Sequence, residues 1–230
     1  GALEESKYNF LQANQLSQRF SKLKPGQRIC IAETGFGTGL NFLLTAYCFL
    51  KHADSDCKLF YYSLEKHPFL VEDLQKILTQ WPQFTQIANQ LLTQYPPLLP
   101  GFHRIDLDSI HLTLIFDDAA AGLSQMHAQV DVWFLDGFTP QKNPSMWSDD
   151  LFKQVARLSN VDCTYSTFTA ARVVRDQLVA KGFTVKKRPG FGKKREMIYG
   201  HFIGLMGPKP AISNQFYALK SCKNTEKIRR

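Results

Sequence analysis

No run among these 230 residues approaches the ~20 consecutive apolar positions that a membrane-spanning helix needs, so no membrane association is expected. The five cysteines (Cys30, Cys48, Cys57, Cys163, Cys222) are odd in number and scattered, with no C-x-x-C pair. A disulfide framework or a zinc site is therefore not expected, and a reducing, cytoplasmic setting is. The six histidines show no ligand spacing, so no metal site is expected. Neither a G-x-S-x-G elbow nor a G-x-x-x-x-G-K-[ST] loop occurs, which disfavours hydrolase and NTPase chemistry. No secretory leader is expected, and there is no internal repeat and no low-complexity tract. With 44% hydrophobic, 21% charged and 13% aromatic residues, the composition is that of an ordinary folded domain. The length suits one large domain or two small ones.

Acidic residues become scarce near the end. Residues 1–180 carry 15 Lys+Arg against 18 Asp+Glu, whereas 181–230 carry 13 against 2. The formal net charge of +8 thus comes from the last fifth of the chain, which suggests a polyanionic partner.

Apolar runs alternate with helix-period segments, the pattern of an α/β fold with a mainly parallel sheet. Strands are expected at 28–32, 59–64, 130–135 and 163–167, with a hairpin of 103–107 and 111–116 turning at Asp108-Ser109. Helices are expected at 40–50, from near Pro68, and at 81–94, 149–158 and 169–180. Strands 183–186 and 197–203 should close the domain around a Gly/Lys-rich loop, and residues 208–230 read as an extension.

The segment Glu33-Thr34-Gly35-Phe36-Gly37-Thr38-Gly39 follows the first strand and opens a helix. Its glycines allow a sharp turn and close backbone approach to a ligand, and the helix start offers unpaired N–H groups. The G-x-G-x-G spacing differs from the dinucleotide G-x-G-x-x-G. With an acid two residues before the first glycine, it is similar to the nucleoside-binding loop of class I methyltransferases, which bind S-adenosylmethionine. Glu65 ends the second strand, where a carboxylate can accept from both ribose hydroxyls. Asp117 and Asp118 end the hairpin's second strand, where an acid can accept from an adenine amino group; Asp118, further into the loop, is the one expected to be merely solvated. Asp136 ends an apolar strand before Gly137 and should overlook the same cleft. Phe138 and the polar loop with Lys142 and Asn143 follow it. Six cations lie between Lys186 and Arg195 around Phe191 and two glycines, a pattern able to meet phosphates and a stacked base.

The stretches Glu33–Leu43, Phe134–Trp147, Thr167–Arg175 and Arg188–Met197, with Tyr8–Leu11 and Asn14–Leu16, resemble the methyltransferase part of the MnmC family of bacterial tRNA-modifying enzymes. The resemblance covers roughly residues 3–205. It implies a Rossmann-like class I S-adenosylmethionine-dependent methyltransferase fold with an antiparallel last strand. It also implies methyl transfer to the amine of 5-aminomethyl-2-thiouridine at the wobble position of tRNA. The implied cofactor contacts are Glu33, Gly35, Gly37, Gly39, Asn41, Glu65 and one of Asp117 and Asp118, the family pattern there being Gly-Asp. The implied catalytic residue is Asp136. Phe138, Lys142 and Asn143 would frame the base, and Lys187, Arg188, Lys193, Lys194 and Arg195 would meet anticodon-stem phosphates. The common form of the family adds an FAD-dependent domain. The start at Gly1 and the basic tail read as a cut from such a protein, with 1–207 as the methyltransferase domain and 208–230 as a linker remnant. A monomer is favoured. The rival readings are a nicotinamide-dependent oxidoreductase, against which the glycine spacing counts, and a non-catalytic RNA-binding module.

Overall fold

The computed structural model describes residues 1–137 and 144–204. Phe138, Lys142, Asn143 and the extension 208–230 lie outside the described residues. The chain opens with α1 (Ala2–Ser6), a π-helical turn (Lys7–Gln12) and α2 (Leu16–Ser21). It continues as β1 (Arg28–Glu33), α3 (Leu40–His52), β2 (Lys58–Leu64), α4 (Val71–Leu78), a 3-10 turn (Pro82–Phe84) and α5 (Thr85–Thr93). Then come β3 (Gly101–Leu107), β4 (Ile110–Phe116), α6 (Ala119–Gln125) and β5 (Val130–Phe134). A 3-10 turn (Pro144–Trp147) precedes α7 (Asp149–Leu158), β6 (Ser159–Thr167), α8 (Arg172–Ala180), β7 (Lys186–Pro189) and β8 (Glu196–His201).

The eight strands form one sheet in the order β3-β4-β2-β1-β5-β6-β8-β7. Strands β4, β2, β1, β5 and β6 run parallel, and β3, β8 and β7 each pair antiparallel to a neighbour. Successive side chains point to opposite faces, so Ile31, Val132 and Phe134 pack with the N-terminal helices and α3–α5, while Ala32 and Trp133 pack with α6–α8. The order reverses at β1, the switch point beside which ligands of such sheets bind, at the carboxyl ends of the strands. This is the class I methyltransferase architecture expected above.

Local signals account for many boundaries. The side chain of Ser148 caps α7, accepting from the Leu151 amide at 3.3 Å, and Asp149 and Asp150 follow in the positive first turn. The hairpin β3–β4 turns through Asp108 at φ 54°, as placed from the sequence. Several elements differ from expectation. The helix placed near Pro68 begins at Val71, after the extended Leu70. The 81–94 segment divides into a 3-10 turn and α5. Helix α8 starts at Arg172, because the Thr169 hydroxyl takes the Ala171 amide in a local turn. The strand expected at 183–186 lies instead at Lys186–Pro189. Near Thr184 the chain passes so close to Gly200 that a Cβ there would sit 2.0 Å from the Thr184 carbonyl oxygen. The basic segment is thus half strand and half loop.

Candidate active site

Four strand ends converge on one cavity of about 680 Å³. From β1 the chain enters the glycine loop, where the Phe36 amide bonds the Leu64 carbonyl and the Gly39 amide bonds Phe36 O, both at 2.8 Å. Gly37 and Gly39 have φ of 52° and 79°, which bulkier residues resist, and the buried Phe36 ring fills the space where a Gly39 side chain would go. Glu65 holds the loop from across the cleft: its Oε2 accepts from the Gly37 amide at 2.9 Å and its Oε1 from the His67 amide at 2.8 Å. Asp118 caps α6 through the Ala120 amide and lies 3.7 Å from Lys66. Asp117 Oδ1 accepts from the Asp118 amide.

Asp136 lies two residues past β5. Its Oδ1 accepts from the Gly137 amide and its Oδ2 from Asn41 Nδ2, each at 2.8 Å. Burial pushes its carboxyl above the ordinary range, opposed by those two donors and by the Lys194 charge. Asn41, in the first turn of α3, also donates to Glu33 Oε1 at 2.7 Å and receives the Ser6 hydroxyl on its carbonyl. The Asn41 amide therefore bridges two carboxyls. Glu33 is fully buried behind the loop and takes the Tyr61 and Ser63 hydroxyls on Oε2. Burial, and then the neighbouring Asp136, push its carboxyl up to about 8 against these donors.

A carboxyl so raised binds a proton in the folded chain that the unfolded chain releases. Its contribution to stability is full below the unfolded pKa near 4.3 and is lost as pH rises through about 8. Thermal melts at pH 6 and pH 9 should show the wild-type Tm falling by roughly 5 °C. Glu33→Gln should flatten this slope. A wild-type curve already flat across that range would mean that Glu33 carries no such proton.

Gly35, Gly37, Asn41, Glu65, Asp117, Asp118, Asp136 and Lys194 all line the cavity, whereas Glu33 and Gly39 stand behind it. The basic residues divide. Lys187 pairs with Glu196 at 2.9 Å. Arg188 lies 3.8 Å over the Tyr8 ring and donates to the Tyr8 carbonyl. Lys194 pairs with Glu5 and lies 4.9 Å over Phe168. Lys193 and Arg195 are exposed. Sequence reasoning did not assign the inner wall to Glu5, Ser6, Asn9 and Phe10 of the N-terminal segment. A short π-helical turn leaves no periodic pattern to detect. Among the described residues no helix is long and apolar enough to cross a membrane.

The donor set fits a nucleoside bearing a charged tail: backbone amides and a strand-end carboxylate at one end, buried acids at the other. Residues 82–202 match the family model described as S-adenosyl-L-methionine-dependent methyltransferase. The chain is 47% identical over 211 residues to the tRNA 5-methylaminomethyl-2-thiouridine biosynthesis bifunctional protein MnmC of Ectopseudomonas mendocina (strain ymp), covering 91% of this chain and 32% of that protein. It is 46% identical over 229 residues to the protein of that name from Marinomonas sp. (strain MWYL1), covering 97% and 34%. The chain thus spans about a third of the length of these curated relatives. The crystal structure of MNMC2 from Aquifex aeolicus shares the fold, with TM-score 0.72 and 22% identity over 91% of this chain and 64% of that one. With the matched model spanning more than half its length, this chain belongs to the S-adenosyl-L-methionine-dependent methyltransferase family.

Proposed function

We propose that the chain methylates the amine of 5-aminomethyl-2-thiouridine at the wobble position of tRNA, giving 5-methylaminomethyl-2-thiouridine. The observation that carries this reading is Asp136, a deep carboxylate open to the cofactor cavity and flanked by a basic hairpin. The likeness of nearly all of this chain to about a third of proteins named for that nucleoside supports the substrate. Neither a nicotinamide-dependent oxidoreductase nor a non-catalytic RNA-binding module is favoured by the family match. The longer protein would add the FAD-dependent domain of the family's common form. A cytoplasmic location and a monomeric state go with this reading.

S-adenosylmethionine supplies an electrophilic methyl group on its sulfonium. The glycine loop would lie against the nucleoside, and the Glu65 carboxylate, which it helps to orient, would accept from the ribose hydroxyls. Asp117 suits the adenine amino group, because Asp118 is engaged as the α6 cap and beside Lys66. Asp136 would accept a hydrogen bond from the substrate amine, turn its lone pair toward the cleft, and take up the proton released. The Lys194 charge draws the Asp136 carboxyl down against the burial that raises it. The exposed Lys193 and Arg195, and beyond the described residues Phe138, Lys142 and Asn143, would meet the anticodon loop, where unstacked bases are read against side chains.

Incubation with labelled S-adenosylmethionine and tRNA from cells lacking this activity should place label in 5-methylaminomethyl-2-thiouridine. No label in that nucleoside would overturn the reading. Replacing Lys193 and Arg195 together by Ala should weaken tRNA binding and lower the slope of log K against log salt by about one per lost phosphate contact. An unchanged slope would remove this loop from the tRNA contact.

A further inference from the structure

Asn9 sits in the π-helical turn, is 2% exposed, and lines the cavity, yet its Oδ1 has no hydrogen-bond partner. A buried carbonyl oxygen is rarely left so, and on a residue that lines a cavity it points to a ligand that supplies the donor. The surrounding contacts fasten the turn that carries Asn9. One turn earlier, the Ser6 hydroxyl is bonded to Asn41. On the next residue, the Phe10 ring packs on Phe134 with centroids 5.1 Å apart. Asn14 Nδ2 ties the turn to β6, donating to Phe10 O and to Ser166 Oγ at 2.9 and 2.8 Å. Tyr8 is clasped by Arg188 and donates its hydroxyl to the Pro189 carbonyl at 2.8 Å. Such immobility suits a binding group whose orientation is set before the ligand arrives.

We propose that Asn9 Oδ1 accepts a hydrogen bond from the α-amino group on the methionine part of S-adenosylmethionine, a reading that rests on the cofactor assigned by the family. Two considerations select this group over the substrate amine. The α-amino group is a permanent ammonium, and a charged donor makes the stronger bond to a buried acceptor. The substrate amine must instead be uncharged when it attacks. A carboxamide also carries an N–H donor beside its acceptor, which matches the adjoining carboxylate and ammonium of an amino acid.

The test is calorimetry of wild type, Asn9→Leu and Asn9→Ala with S-adenosylhomocysteine and with its deamino analogue, in which hydrogen replaces the α-amino group. Wild type should prefer S-adenosylhomocysteine by about tenfold or more, as expected for a charged hydrogen bond. Both variants should lose that preference while holding the deamino analogue within about threefold, well under one such bond. Variants that keep the wild-type preference overturn the assignment. So do variants that lose both ligands alike, since Asn9 would then only support the fold. An unchanged preference with impaired methyl transfer would hand Asn9 to the substrate amine, also against the assignment. Wild type that binds neither ligand would sink the cofactor reading itself, and this assignment with it.

Discussion

Asp136→Asn should slow methyl transfer about a hundredfold, the scale of a lost positioned acid–base group, and leave the affinity for S-adenosylhomocysteine within about threefold, because the role assigned to this side chain is toward the substrate amine. Both carboxylate oxygens are already addressed by donors, Gly137 N on Oδ1 and Asn41 Nδ2 on Oδ2. An asparagine offers only one acceptor oxygen, so its amide must face one of those two N–H groups. Whichever way it turns, the charge is gone and the acceptor offered to an incoming amine is lost or misplaced. Single-turnover transfer of labelled methyl, with a calorimetric Kd alongside, separates the two effects. Turnover equal to wild type would remove Asp136 from the chemistry.

Gly39→Val should abolish measurable cofactor binding. The residue has φ 79°, a region that a β-branched side chain scarcely enters, and its new Cβ would stand 2.8 Å from Cζ of the buried Phe36 ring. Phe36 is itself buried, so its ring would have to leave its place for the new side chain to fit. Gly39 also accepts the Leu43 amide and so starts α3, which carries Asn41. Displacing it therefore disturbs the loop and the Asp136 support together. Gly35→Ala is the milder comparison: its methyl would lie 3.5 Å from the Asp136 carbonyl oxygen, an ordinary contact. Calorimetry should find a Kd change under about tenfold for Gly35→Ala, while Val at position 39 should give no measurable heat. Retained affinity in Gly39→Val would mean that the loop does not form the cofactor wall.

Much of this architecture is legible in the sequence because it is written locally. The strand ends at Glu33, Glu65, Asp117 and Asp136 follow apolar runs, and in a parallel sheet such ends share one edge, so four separate motifs converge without any long-range information. What local reading could not give is the use to which each polar group is put. Asn41 opens the helix after a loop that reads as cofactor-binding, but its amide is taken up by Glu33 and Asp136. Arg188 and Lys194 stand in a run of cations that reads as a phosphate contact, but Tyr8 and Glu5, more than 170 residues away in sequence, occupy them. The N-terminal segment stands out in the sequence only through its resemblance and does not read as helical, because its helices are five or six residues long, too short for a periodic stripe.

The clasp between Tyr8 and Arg188 has a consequence for how the domain assembles. Its partners are 180 residues apart, among the most distant pairings this chain makes. Loop closure over such a span comes late, after the local hairpins and the parallel core have formed. Ser6 and Asn14 are tied to Asn41 and Ser166, but the Tyr8 side of the inner wall is fastened only once β7 has joined the sheet edge. The ligand cleft thus draws on both ends of the described chain, and a chain stopped before β7 would lack the clasp on its Tyr8 side.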